Sequence, residues 1–281
     1  MSVVYTAQVD GANRRRVVRN ALTAAALIYV AILLLAPLGG IVAGVLSAGL
    51  DVVGETFALP DVRHALWLTA VITTITVVVT TVCGVITARV LVRHRFMGKG
   101  ALNALVDLPF AVSPVTVGLM AVLLFGTGGV FEPFFASQGI QIMFALPAMV
   151  LVTIFICIPF VVREVMPVLE EMGEDEEEAA LTLGASPLRT FFKVTLPNIR
   201  WGLLYGVALS TARALGEIGA VLIVSGSVKG QTETATIFIL TALEERQDAY
   251  GYVMALNLAA VSVLLLGVIE LSKRRRERKV V

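Results

Sequence analysis

The chain has 281 residues, 57% of them hydrophobic and only 15% charged, with a mean hydropathy of +0.88 and a formal net charge of +1. An ordinary soluble domain is about half apolar and about a quarter charged, so this composition cannot build a water-facing surface around a single core. The near-neutral balance carries no electrostatic footprint for nucleic acid.

The apolar excess is arranged in blocks. Stretches without a charged residue run Ala21–Leu50, Ala65–Ala88, Leu108–Phe131, Pro133–Val162, Trp201–Ala212 and Ala249–Ile269. A membrane-spanning helix needs about 20 mostly apolar residues, and five blocks meet that length. The block at Trp201 continues past Arg213 and Glu217 to Val228. The pattern predicts an all-α polytopic membrane protein with six spans at 21–46, 65–92, 102–125, 142–162, 201–225 and 250–271. The first run exceeds the 7–15 apolar residues of a signal h-region, which makes it an uncleaved signal-anchor.

Lys and Arg set the orientation. Arg14, Arg15, Arg16 and Arg19 precede span 1, and Arg89, Arg93, Arg95 and Lys99 close span 2. Arg163, Arg189, Lys193 and Arg200 lie between spans 4 and 5, and Lys273, Arg274, Arg275, Arg276, Arg278 and Lys279 follow span 6. Only Arg63, Lys229 and Arg246 fall on the other side, so the positive-inside bias places both termini and segment 163–200 in the cytoplasm. The resulting division is a basic cytoplasmic segment 1–20, a membrane domain 21–272 that includes the loop 163–200, and a basic cytoplasmic tail 273–281. The terminal basic clusters also suit contact with anionic lipid.

Within the spans, Gly40/Gly44 and Gly202/Gly206 have the spacing of close helix contacts. Pro109, Pro114, Pro147 and Pro159 predict kinks in spans 3 and 4, read as packing devices. Cys83 and Cys157 fall inside spans, with no disulfide or metal spacing. His64 and His94 are the only histidines, too few for a His-based metal site or triad. Arg213 and Glu217 stand apart: by rise per residue from Trp201, Arg213 sits roughly 18 Å into a core about 30 Å thick. Charges at such depth face the bundle interior and mark function by default, so Arg213, Glu217 and the neighbouring Gly216 and Gly219 are the candidate pathway residues.

The loop between spans 4 and 5 places seven acids within nine positions, Glu170, Glu171, Glu174, Asp175, Glu176, Glu177 and Glu178. Acids at a helix start, good helix formers and a terminal glycine in "EEEAALTLG" predict one short helix stopped by Gly184. Ser186-Pro187 opens a second, "PLRTFFKVTL", whose Leu188, Phe191, Phe192 and Leu196 form an apolar stripe and which Pro197 ends. The expectation is a helix–turn–helix at the cytoplasmic face.

Glu178-Ala179-Ala180, Gly184 four residues later, and Val194-x-Leu196-Pro197 after a further nine resemble the signature of the membrane subunits of ATP-binding-cassette importers, with Val194 where isoleucine is usual. The resemblance implies a type I importer fold whose loop is a coupling helix seated in a separate ATPase. "DLPFAVSPVTVGL", "QIMFALPAMVLVTIFICIPFVVREVMPV", "LPNIRWGLLYG" and "ARALGEIGAVLIVSGSVKGQT" further resemble the sulfate/thiosulfate permeases, nearest to the W-type of the two permease subunits. These stretches cover most of 100–232. Molybdate permeases share the loop signature, and a self-sufficient secondary anion transporter is the more distant alternative. The resemblance implies a bacterial inner-membrane location. It also implies a second homologous permease, two ATPase subunits that use ATP and Mg, an extracytoplasmic sulfate-binding protein, and sulfate or thiosulfate as cargo. No G-x-x-x-x-G-K-[ST] is present, since Arg93 stands where the first glycine before Gly98-Lys99 would fall, so the chain is expected to bind no cofactor and to have no ATPase site.

Overall fold

The computed structural model describes the backbone of residues 2–280 and the side chains of 18–265 and 267. The expected surface roles of Arg14, Arg15, Arg16 and the 273–281 tail lie outside the described side chains. Among the described residues every element is helical: α1 (Ser2–Ala48), α2 (Asp51–Ala58), α3 (Pro60–Arg93), α4 (Lys99–Ala111), α5 (Pro114–Phe125), α6 (Glu132–Ser137) and α7 (Leu146–Met172). These are followed by α8 (Asp175–Thr182), α9 (Pro187–Thr190), a π-helical turn (Phe191–Thr195), α10 (Leu196–Leu215), α11 (Gly219–Ser225), α12 (Ala235–Glu244) and α13 (Asp248–Val280). An all-helical solution follows from the solvent, because only a helix satisfies its backbone donors and acceptors within one segment in lipid.

Among the described residues four helices are long and apolar enough to cross a membrane: α1 over Val18–Ala48, α3, α7 and α13 over Asp248–Leu265. Two bent pairs bring the number to six if each counts as one span. Helices α3, α7 and α10 form the centre. Gly202 and Gly206 let α10 lie against α7: an added Cβ would come 2.6 Å from the Glu164 carbonyl oxygen or 2.9 Å from Val161 Cα. The Gly202/Gly206 pair is thus a contact face, whereas Gly40 has nothing near it and only Gly44 meets a neighbour, the Tyr252 ring. One apolar cluster joins α3, α5, α7 and α11 around Ile72, Val117, Met149 and Val221. A second, toward the α8 end, joins α3, α4, α7 and α10 around Leu91, Val106, Val165 and Ile199. The apolar window of α1 is 0% buried, so lipid or another chain must cover it. Cys83 is exposed on α3 and Cys157 is buried on α7.

Four expectations are corrected. Span 3 is not one helix: α4 and α5 meet at 114°, too sharp for a packing kink. Pro114 lacks an N–H and forces Ser113 into an extended conformation (ψ 138°), so the helix stops and restarts. Span 5 breaks at residues 216–218, with α11 turned 53° from α10. Span 4 does not end at Val162: α7 runs to Met172, so the first quarter of the expected loop is helix. Pro197 ends nothing. The chain is helical from Pro187 to Leu215, and the π turn, in which the Leu196 N–H donates to the Phe191 carbonyl, widens the backbone just before Pro197 enters the first turn of α10.

Candidate functional site

Two regions gather the residues singled out by sequence. The first is the segment around α8. Its opening acids Asp175, Glu176, Glu177 and Glu178 sit in the first turn, where the helix dipole favours them. The helix closes in a Schellman motif: Ala185 N–H donates to the Ala180 carbonyl and Gly184 N–H to that of Leu181 (both 3.0 Å), with Gly184 at φ 86°. Ser186 then caps α9 by accepting from the Arg189 N–H. Glu178 and Ala179 are exposed and Ala180 half-buried. Val194 and Leu196 are half-buried, Leu196 packs against the second apolar cluster, and Pro197 is exposed. Leu181, Leu183, Leu188 and Phe192 are open to solvent, Leu183 at 88%, so this end of the molecule presents an uncovered apolar ridge beside exposed acids. The expected stripe is therefore split: Leu188 and Phe192 face outward, while Phe191 and Leu196 face the core.

The same segment is tied to the core by a residue that the sequence reading did not connect with it. Arg93, the last residue of α3, donates through Nε to Glu177 Oε2 (2.8 Å), through Nη1 to the Leu169 carbonyl (3.0 Å) and through Nη2 to the Gly173 carbonyl (2.6 Å). The Thr195 hydroxyl donates to Glu177 Oε1. A second arginine from the orientation set, Arg163, forks onto Asp107 of α4 at 2.7 and 2.6 Å and reaches Asn103. This pair is partly exposed and holds α4 to α7.

The second region is where the two broken spans meet. Gly219 opens α11 against Pro114, the first residue of α5: a Cβ at Gly219 would lie 3.0 Å from that of Pro114. One turn on, Gly118 lies against Ala220 and Ile223. The two breaks thus pack onto each other. Gly216 caps α10, and Glu217 lies in the break rather than on the span 5 helix where the sequence reading put it. The expected compensation nonetheless exists, with Arg213 Nη1 2.7 Å from Glu217 Oε2. That contact is an ion pair lacking hydrogen-bond alignment, whereas Oε1 accepts a 2.9 Å bond from the Ala220 N–H. The Glu217 carbonyl accepts from the Thr236 hydroxyl (2.7 Å), which ties the break to α12. Glu217 is buried, but the Arg213 side chain keeps 30% of its surface.

Sequence reasoning also passed over a column of hydroxyls on α3. Thr69, Thr73, Thr76 and Thr80 recur at three- and four-residue spacing and are all buried. Thr80 meets Ser210 of α10 at 3.1 Å, and Thr69 accepts from the Ala235 N–H at 2.9 Å. The hydroxyls of Thr73 and Thr76 have no hydrogen-bond partner among the described residues. The periodic threonines were legible; that their face was interior was not.

On the opposite end from α8, Glu233 is 1% exposed, and neither carboxylate oxygen has an aligned hydrogen bond among the described residues. Burial raises its pKa above the usual carboxylate range, and the nearby Thr241 hydroxyl and Lys229 ammonium offset that only in part. The His64 ring reaches the Gln231 carbonyl at 3.0 Å in the same segment.

Comparison with known proteins fits this architecture. Residues 80–278 match the family described as binding-protein-dependent transport system inner membrane component. The chain is 43% identical to the sulfate transport system permease protein CysW of Synechococcus elongatus, over 92% of this chain and 91% of that one. It is 46% identical to the CysW of Synechocystis, over 89% and 91% respectively. With the sulfate transport system permease protein CysT of Salmonella typhimurium it shares 36% over 91% and 92%. Among solved structures, a bacterial alginate ABC transporter in complex with an alginate-pentasaccharide-bound periplasmic protein superposes with a TM-score of 0.78. It covers 93% of this chain and 96% of that one at 16% identity, a likeness of fold alone. A chain whose described elements are all helical, with bent spans, an uncovered helical segment at one end and 36–46% identity to permeases along about nine-tenths of its length, is a multi-pass inner-membrane permease, and it belongs to the family of binding-protein-dependent transport system inner membrane components, beside the sulfate permeases named CysW.

Proposed function

We propose that this chain is one of two permease subunits of an ATP-driven importer of sulfate or thiosulfate. The observation that carries the reading is identity above 40%, across about nine-tenths of both chains, to permeases named for sulfate transport. Its likeness to CysT, named for the same transport system, supports a second, homologous permease as its partner. The periplasmic protein named with the alginate transporter supports an extracytoplasmic binding protein that delivers the anion.

In this reading the uncovered ridge of α8 and α9 seats one of two ATPase subunits. Exposed Leu181, Leu183, Leu188 and Phe192 supply apolar area, and Glu178 and its neighbouring acids orient the joint electrostatically. ATP and Mg belong to that ATPase, and this chain binds no cofactor. Segment 163–200 and both termini face the cytoplasm, with 21–272 as the membrane domain. Arg213 lends positive potential to a dianion at the paired breaks. Glu217 offsets that charge when the path is empty and keeps the anion from being trapped.

Proteoliposomes holding this chain, a second permease and the ATPase test the reading. Radiolabelled sulfate delivered by the binding protein should accumulate with internal ATP and should stop when the ATPase is omitted. Uptake driven by an ion gradient without ATP refutes it.

A further inference from the structure

Helix α8 has eight residues and lies between two glycines in left-handed or mirror conformations, Gly173 at φ 68° and Gly184 at φ 86°. Glycine at both ends leaves the helix free to take many angles to the bundle, so the covalent chain does not fix its orientation. Packing does little more, because Glu177 is its only buried residue. The pose of α8 therefore rests chiefly on what Glu177 touches, supplemented at the surface by Asn198 Nδ2 donating to Glu176 Oε2 at 2.6 Å.

Glu177 touches Arg93 and Thr195. Between them these three residues join four segments: Arg93 is the last residue of α3, its guanidinium also holds the end of α7 through Leu169 and Gly173, Glu177 is α8, and Thr195 closes the π turn that opens α10. Side-chain exposure is 7% for Arg93 and 9% for Glu177, so the contact is shielded from water. All three nitrogens of the guanidinium and both carboxylate oxygens are used, which a buried charged pair requires if desolvation is to be offset. A lysine at position 93 could carry the charge but not the three-way planar fork.

We propose that Arg93 is the positioning residue of the ATPase joint: through Glu177 it fixes α8 to α3, α7 and α10 together, so that a displacement of α8 moves the three central helices as one body. This rests on the reading that the α8 surface seats an ATPase. The clamp stays closed throughout transport, because opening it would strand a buried guanidinium and a buried carboxylate without partners.

The complete importer in proteoliposomes tests this. Arg93→Gln should assemble with the ATPase and keep basal hydrolysis. Sulfate moved per ATP, and the stimulation of hydrolysis by sulfate-loaded binding protein, should fall about tenfold or more. Arg93→Lys should recover part of both. Wild-type sulfate-to-ATP ratio in Arg93→Gln overturns the proposal. If Arg93→Gln does not assemble, Arg93→Cys/Glu177→Cys in a Cys83→Ser, Cys157→Ala background replaces it. Joining the two cysteines with a short, reducible thiol cross-linker should restore the ratio, and reduction should abolish it. A linked complex that remains uncoupled, or one equally active linked and reduced, also overturns it. Failure of wild-type sulfate uptake with an intact hydrolysis response would fault the assigned anion and leave the clamp standing.

Discussion

Two arginine–glutamate pairs among the described residues, Arg93–Glu177 and Arg213–Glu217, are built to opposite specifications. Arg93–Glu177 is shielded on both sides, and every polar atom that the pair points inward meets a donor or acceptor. Arg213–Glu217 is shielded on one side only: Glu217 is buried, yet the arginine keeps 30% of its surface and its contact with Oε2 lacks hydrogen-bond alignment. A saturated pair has nothing left to offer a ligand and serves geometry. A pair with spare capacity, set beside two helix breaks, can exchange one partner for another. The same two residue types are thus saturated in one place and only partly satisfied in the other, and the difference lies in what the surroundings supply.

The largest expected effect tests that contrast directly. Arg213→Gln should lower sulfate uptake by about 3 kcal/mol, roughly 100-fold, while assembly and basal hydrolysis persist. Arg93→Met should instead cost about 3–5 kcal/mol of stability, because it strands a buried carboxylate. Thermal unfolding in detergent beside uptake in proteoliposomes checks both. Equal loss of melting temperature in the two variants would erase the distinction.

A smaller effect probes the rigid frame on which both pairs stand. Gly206→Leu thrusts a side chain into Val161 and should destabilise by about 1–3 kcal/mol, whereas Gly40→Leu, with nothing near it, should be close to neutral in the isolated chain. Unfolding curves decide it. Next in size, Gly184→Val places a branched residue at φ 86° and should cost about 1–2 kcal/mol locally. Co-purification of the ATPase should fall while the chain still inserts; full ATPase recovery would show that the turn geometry is dispensable.

The smallest effect concerns Glu233, whose folded-state pKa is raised by burial. A carboxyl raised on folding contributes stability below its unfolded pKa and loses it as pH rises through the folded value. Glu233→Gln should therefore melt at a higher temperature than wild type at pH 7.5, the advantage fading as pH falls toward the ordinary carboxylate range. A variant that is less stable at pH 7.5 would mean that the carboxylate has a partner in the assembled importer.

Fold class, the apolar helices and the short helix–turn–helix after α7 were legible because each depends on local quantities: runs of apolar residues, a glycine stop at Gly184, a cap at Ser186. The Arg213–Glu217 pair was legible for the same reason, since any charge amid apolar sequence stands out. The breaks were harder. Pro114 announces an interruption, but whether proline yields a shallow kink or a 114° turn depends on the Gly219 and Gly118 contacts, and those come from a segment a hundred residues away. At Pro197 the same residue type ended nothing, because a π turn absorbed it.

Sequence by itself determined that the chain must live in a membrane as helices, since an uninterrupted run of about 20 apolar residues bonds its own backbone groups in lipid only as a helix. It also determined the family, through residues whose spacing along one loop is short-range. Tertiary structure alone decided which arginine has every polar atom satisfied and which keeps spare capacity. Arg93 is one basic residue among many at a span end, and its role exists only because Leu169, Gly173 and Glu177, each more than seventy residues away, converge on it. Burial and hydrogen-bond saturation are properties of what folds around a side chain, and no local pattern encodes them.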